Sequence, residues 1–251
     1  LIGRPAVIQM RIERLGLRIR PGVDFELTNI DDDPRFNEYW QLYHSLMERR
    51  GFSPAAAKAV VRTRSTAVAA LMVRRGEADA MLCGIVGRYQ KKLAYVVNVL
   101  GREAGIPSTS AMSAVLNDKG VFFFCDTHVQ ANPTAEQIAT SALQSAYRLK
   151  LFGITPKVAL VSHSNFGSHD DESARKMREA LVLIRERAPK LEVEGEMHVD
   201  AALNEEIRDR IFPNSRLTGR ANLLVFPNLD AANTAYNLVR SMTDGVGLGP
   251  I

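Results

Sequence analysis

Hydroxyls and imidazoles crowd into one stretch, Val158 to Asp171 (VALVSHSNFGSHDD), where Ser162, His163, Ser164, Ser168 and His169 surround Asn165, Phe166 and Gly167. Such groups suggest nucleophilic or acid–base chemistry, but the stretch lacks the GxSxG turn that presents an activated serine. Small hydroxyls beside backbone amides instead suit the anchoring of a phosphate or of a turn. A loop histidine is first a solvated hydrogen-bonding group, so neither His163 nor His169 is assigned to catalysis. The chain's five histidines, His44, His128, His163, His169 and His198, show no HExxH pattern or four-residue pairing, and no metal site is assigned. One feature opposes anion binding: Asp170, Asp171 and Glu172 stand where the following helix begins and complement its dipole themselves. An anion there must lean on loop amides or on cations from elsewhere.

Two other groups have chemical potential. Arg88, Lys91 and Lys92, in VGRYQKK, gather positive potential after a short apolar run; the alternative is a solvated face. Asp200, in GEMHVDAAL, reads as a helix N-cap, with the alternative that it faces the same crevice as Ser162 to Ser168. Cys83 and Cys125 each sit in an apolar run, AMLCG and VFFFC, without CxxC or CxxH spacing, and are expected to be buried free thiols.

The elements that must position these groups alternate. Helices are expected over Pro5–Leu15, Phe36–Arg50, from Ser53-Pro54 onward, Thr66–Arg75, through Leu100, from Thr134 to about Lys150, over Glu172–Arg187, Ala201–Ile211 and about Ala231–Met242. Gly16, Gly51, Gly76 and Gly153 supply stops, Ser53-Pro54 a start, and TAEQ at Thr134–Gln137 a capping box. Strands are expected over Val23–Asn29, Ala80–Ile85, Val121–Cys125, from Val158, near Leu191–Glu194 and over Asn222–Phe226, while Gly105–Asn117 stays open between strand and irregular chain. The Ala-rich helix pair should pack on a sheet. Strand–helix alternation argues for α/β architecture with a largely parallel sheet in each part, and the polar link Asp126–Pro133 is the expected domain boundary. In such sheets ligands collect where loops leave the carboxyl ends of the strands, which marks Val158–Asp171.

Composition narrows the class. The 251 residues are 46% hydrophobic and 24% charged, with a net charge of +4; this is ordinary for a globular chain. The charges are mixed in sign, without the basic arm or interleaved aromatics of a nucleic-acid binder, so a small anionic ligand is the better match. No apolar run approaches a membrane span and no leader pattern is present, and a cytoplasmic protein is expected. A start at Leu1-Ile2-Gly3-Arg4-Pro5 and an end at GVGLGPI, without a closing element, suggest part of a longer polypeptide.

Five segments carry a resemblance: GEADAMLCG (Gly76–Gly84), NPTAEQIA (Asn132–Ala139), FGITPKVALVSHSNFGS (Phe152–Ser168), APKLEVEGEMHVDAAL (Ala188–Leu203) and FPNSRLTGRANLLVFPNLDAANTAYNLV (Phe212–Val239). In collinear order over nearly the whole chain, they resemble the phosphate acetyltransferase (phosphate acetyl/butyryl transferase) family. SHSNFGS, EGEMHVDAAL and DPRFNEYW are most similar to the phosphotransacetylase-like C-terminal domain of bacterial NADP-dependent malic enzymes. The resemblance implies two three-layer α/β domains around a cleft, isocitrate/isopropylmalate dehydrogenase-like. Residues 1–130 would form an incomplete domain I, 131–243 domain II, and 244–251 would return toward domain I. It also implies a homodimer through these domains and a higher homo-oligomer of the parent.

The resemblance does not bring transferase chemistry with it. Met47, in LMERRG, and Ala94, in KKLAY, fall where active transferases carry arginines, Phe166 falls where some carry a lysine, and a third family cluster would lie beyond Ile251. Losing two guanidinium clamps removes on the order of 3 kcal/mol each of transition-state stabilisation. The expectation is a non-catalytic, acetyl-CoA-sensing and oligomerising domain of a malic enzyme that oxidatively decarboxylates malate to pyruvate and CO2, with NADP and a divalent metal held in an N-terminal part. Acetyl-CoA would lie in the inter-domain cleft against Ser162, Ser164, Asn165, Phe166, Gly167 and Ser168, with Arg88, Lys91 and Lys92. The alternatives are an active phosphate acetyltransferase and a purely structural dimerisation domain.

Overall fold

The computed structural model describes residues 1–84 and 87–251, and the chain divides into two compact units, Leu1–Glu103 and Ala104–Ile251. The polar link Asp126–Pro133 lies inside the second unit.

The described part of the first unit is helical. It contains α1 (Pro5–Arg14), α2 (Phe36–Met47) prolonged by a 3-10 turn at Glu48–Arg50, α3 (Pro54–Thr63), α4 (Ser65–Arg74) and α5 (Tyr89–Leu100). Local chemistry sets the boundaries: the Ser53 hydroxyl accepts the Ala56 amide (3.2 Å) with Pro54 behind it, and Gly51 stops the 3-10 turn at φ 82°. Tyr39, Tyr43 and Met47 of α2 pack with Ala57 and Val61 of α3, Ala67, Val68 and Leu71 of α4, and Val99 of α5.

Several sequence expectations fail in this unit. Val23–Asn29 forms no strand, only the single bridges Pro21↔Phe25 and Ile2↔Thr28, and Val23 is exposed. Ala80–Gly84 is also irregular, with Leu82 and Cys83 exposed; Ile85 of that expected strand and Val86 of the loop after it lie outside the described residues. The reason is shared: apolar alternation becomes a strand only where a neighbouring edge supplies ladder partners, and the described residues of this unit contain no such edge. The Ala-rich pair α3–α4 correspondingly packs on helices rather than on a sheet. Lys91 and Lys92 lie in the first turn of α5 instead of in a loop.

The second unit is α/β. Its elements are β1 (Met112–Asn117), β2 (Gly120–Cys125), α6 (Ala135–Leu151), β3 (Lys157–Val161), α7 (Glu172–Arg187), β4 (Glu192–Met197), α8 (Val199–Leu203), α9 (Glu205–Ile211), β5 (Leu223–Val225), α10 (Leu229–Met242) and β6 (Val246–Leu248). The sheet order is β4-β3-β5-β2-β1-β6. From β4 to β2 neighbours are parallel, whereas β2–β1 and β1–β6 are antiparallel.

Both faces of the sheet are covered, which is why VALV reads as an unbroken apolar run. Val158 and Leu160 face a core with Ile138 and Leu149 of α6 and Met177 and Ile184 of α7. Ala159 and Val161 face the other, with Met197, Ala201, Leu217, Phe226 and Tyr236. The capping box forms as expected, Thr134 accepting the Gln137 amide and Gln137 the Thr134 amide. Two expectations are corrected. The segment GVGLG does close an edge, because β6 pairs with β1 and the Ile251 amide donates to Met112 O (2.8 Å). The helix expected over Ala201–Ile211 breaks at Asn204, whose side chain caps α9; His198, not Asp200, takes the cap position of α8, and Asp200 is an exposed residue of its first turn.

Candidate functional site

The carboxyl ends of β3 and β5 are neighbours, and a cleft of about 320 Å³ opens there. Val161, Ser162 and His163 line it from β3, Phe226, Pro227 and Asn228 from β5, and Ser173, Val199 and Ala231 from the starts of α7, α8 and α10. Each long helix is tied at this end by a short polar side chain: Asp171 accepts the Ser173 (2.9 Å) and Ala174 (3.1 Å) amides, and Asn228 accepts the Ala231 amide (2.9 Å). Apolar walls with a few convergent polar groups suit a small organic ligand better than a bare ion.

The loop beside the cleft has an organiser that its own residues do not reveal. Glu196, at the end of β4, is wholly buried. Its Oε1 accepts from Ser164 Oγ (2.7 Å), the Gly167 amide (2.8 Å) and Arg178 Nη1 (3.0 Å), while Oε2 is buried without a partner. The Phe166 amide donates to Glu196 O (2.8 Å). Arg178 also holds the His169 carbonyl (2.9 Å) and Asp170, so one guanidinium pins both sides of the loop.

The remaining loop amides are spent internally. Ser164 N donates to Ser162 Oγ (3.1 Å), Asn165 N to Ser168 Oγ (2.9 Å), Ser168 N to Asn165 O (3.1 Å) and His169 N to Ser164 Oγ (3.1 Å). Asn165 Oδ1 accepts the His198 amide (2.7 Å). Phe166, at φ 49°, stacks on Phe212 with ring centroids 4.6 Å apart. Of the loop residues singled out in the sequence, Ser162 therefore lines the cleft, whereas Ser164, Asn165, Phe166, Gly167 and Ser168 build the loop that supports it.

The histidines gather at the same end. His163 Nε2 contacts Asp171 Oδ2 (2.7 Å), the His163 and His169 rings lie 5.1 Å apart, and His198 Nε2 donates to His163 O (2.7 Å). The Ala174 amide, with His163 behind it, holds the Asp171 carboxyl below the usual carboxylate range. Arg88, Lys91 and Lys92 belong to the first unit, at the start of α5, whose first turn contains no acid; Arg88 and Lys91 are exposed. Met47 is buried in the first unit's core and Ala94 is exposed on α5. Among the described residues no group of three or more His, Cys, Asp or Glu side chains is arranged to hold a metal ion, and no helix is long and apolar enough to cross a membrane.

Comparison with known proteins gives a consistent picture. The chain is 53% identical to the NAD-dependent malic enzyme of Rhizobium meliloti (strain 1021) over its whole length, and 51% identical to the NADP-dependent malic enzyme of Escherichia coli (strain K12). It covers 33% of each, so it spans about a third of the length of these curated relatives and matches their phosphotransacetylase-like part. A phosphotransacetylase from Streptococcus pyogenes is similar in structure, with a TM-score of 0.88 and 25% identity, over all of this chain and 75% of that one. The family described as Phosphate acetyl/butaryl transferase matches residues 1–251, and the chain belongs to it.

Proposed function

We propose that this chain is the regulatory, acetyl-CoA-sensing and oligomerising part of a malic enzyme, without transferase activity of its own. The parent would oxidatively decarboxylate malate to pyruvate and CO2 in the cytoplasm, with NADP and a divalent metal bound outside this chain. The observation that carries the reading is Met47: the position that the family resemblance gives to a phosphate-clamping arginine holds an apolar side chain at the end of α2, in the apolar cluster with α3 and α4 and 2% exposed. A thioether in that setting neither binds phosphate nor steadies developing charge. The high identity to malic enzymes supports the parent context. The isocitrate/isopropylmalate dehydrogenase-like arrangement and the homodimer implied by the resemblance belong to the same reading.

In this reading the thioester end of acetyl-CoA enters the cleft beside Ser162, Ser173 and Asn228, whose polar groups face apolar walls from Val161, Phe226 and Ala231. Regulation requires that acetyl-CoA bind two states of the parent unequally, since equal affinity shifts nothing. Two measurements test the proposal. Calorimetry with acetyl-CoA should give a saturable heat, and none at millimolar ligand sinks it. A thiol-release assay with acetyl-CoA and phosphate should give no turnover; a rate of about 1 to 1,000 per second would instead establish a phosphate acetyltransferase.

A further inference from the structure

The first unit holds a cavity of about 180 Å³ that the proposed function does not use. Backbone pairing places it. Leu1–Gly3 and 26–28 lie side by side in parallel, with the Thr28 amide on Leu1 O (2.8 Å) and the Gly3 amide on Thr28 O (3.0 Å), so both segments end at the same place. Residues just past those ends, Arg4, Asn29 and Asp31, line the cavity together with Arg62 and Ser65 at the junction of α3 and α4. The rest of the lining is apolar, with Val61 and Val68 buried and Ile2 and Ile30 half-buried.

The charges of this lining favour an anion. Arg62 lies over the Phe36 ring, 5.0 Å from its centroid, and no acid pairs with it among the described residues. Stacking occupies one face of the planar guanidinium and leaves its N–H edge free, the edge that takes a carboxylate through two parallel hydrogen bonds. Arg4 adds a second cation, whose acid, Asp31, is exposed and 3.7 Å away. Two guanidinium groups therefore stand against one carboxylate. The first turn of α4 holds no acid to oppose the ligand, and the Ser65 hydroxyl has no hydrogen-bond partner among the described residues. Size and apolar surface narrow the class further. At about 30 Å³ for each water-sized group, the cavity holds about six non-hydrogen atoms, well below the roughly 300 Å³ of ordinary cofactor pockets. A bare inorganic anion gains nothing from the valines and isoleucines, whereas an alkyl group does.

We propose that this cavity binds a short aliphatic carboxylate, with the carboxylate on Arg62 and Arg4 and the alkyl end against Val61 and Val68. The site lies within the first unit, apart from the cleft at the carboxyl ends of β3 and β5. It does not rest on acetyl-CoA binding.

The test is an amide NMR titration of the 251-residue chain at constant ionic strength with isobutyrate, with its neutral isostere isobutyramide and with inorganic phosphate. Isobutyrate should shift the amides of Gly3, Asn29 and Ser65 along one saturable curve with a Kd on the order of 1 mM. Isobutyramide and phosphate should each bind at least about 10-fold more weakly. Arg62→Gln should weaken isobutyrate roughly 10- to 100-fold and leave the thermal midpoint and the remaining amide shifts in place, because the side chain is exposed and makes only the ring contact. No saturable shift at those amides up to about 100 mM isobutyrate overturns the proposal. Equal binding of isobutyramide overturns it as well, since charge then plays no part, and so does equal binding of phosphate, since the alkyl end then plays none. Undiminished binding in a folded Arg62→Gln variant removes the residue on which the site is built and ends the proposal.

Discussion

At the scale of single residues, Glu196 and the two cysteines give the sharpest expectations. Glu196 holds Ser164, Gly167 and Arg178 with one oxygen while fully buried, so Glu196→Gln turns a charge-assisted cluster into neutral bonds and strands part of a guanidinium. Arg178 is 32% exposed, so solvent screens part of the loss. The expected cost is about 1–3 kcal/mol, read as a lower urea midpoint with an unchanged slope. Cys125 is enclosed and its thiol is pushed up to about 12, first by burial, whereas Cys83 is exposed. A thiol reagent at neutral pH should modify Cys83 in the folded protein and reach Cys125 only after denaturation; equal rates would contradict the fold. The motif containing Ser162, Ser164 and Ser168 is plain in the sequence, but which serine reaches a cleft is not. That depends on Glu196, which in EVEGEM occupies the register of a solvent-facing strand side while being wholly buried.

At the scale of elements, β3 and β4 approach so closely that a side chain between them has no room. A Cβ on Gly195, at φ 148°, would stand 2.6 Å from Leu160 O. Gly195→Ala should therefore open the β3–β4 pairing and release the loop anchored by the next residue, at about 2–4 kcal/mol. Thermal unfolding would detect it, and a variant as stable as the parent would show that the strands can separate cheaply. Elements defined by local chemistry were readable in the sequence: α7 begins at Glu172 and ends at Arg187 as its periodicity indicates, and Ser53 and Thr134 cap as their types suggest. Where the presence or absence of a distant partner overrides the local pattern, two elements were not. Val23–Asn29 alternates like a strand and lacks an edge to join, whereas the glycine-rich Val246–Leu248 looks like a tail and pairs with β1.

At the scale of the whole molecule, the second unit has what an independent domain needs, since helices cover both faces of its sheet and two apolar clusters lie within Ala104–Ile251. Residues 104–251 expressed alone should fold to a single cooperative urea transition with dispersed amide resonances; a gradual transition with collapsed spectra would show that the unit depends on the rest of the chain. Strand and helix alternation gave the α/β class from sequence for this unit, but not the six-strand order, because pairings between remote segments leave no local mark.

That order has a consequence in time. The shortest parallel strand, Leu223–Val225, is hydrogen-bonded to β3 on one side and to β2 on the other, yet four strands precede it in the chain. A polypeptide made from its amino end thus carries the hairpin β1–β2 and the pair β3–β4 as two unjoined halves throughout the synthesis of residues 198–222. During that interval both inner edges are open to pairing with other chains, and any chaperone dependence of this protein would fall there, ending when three residues, Leu223–Val225, emerge to join the halves.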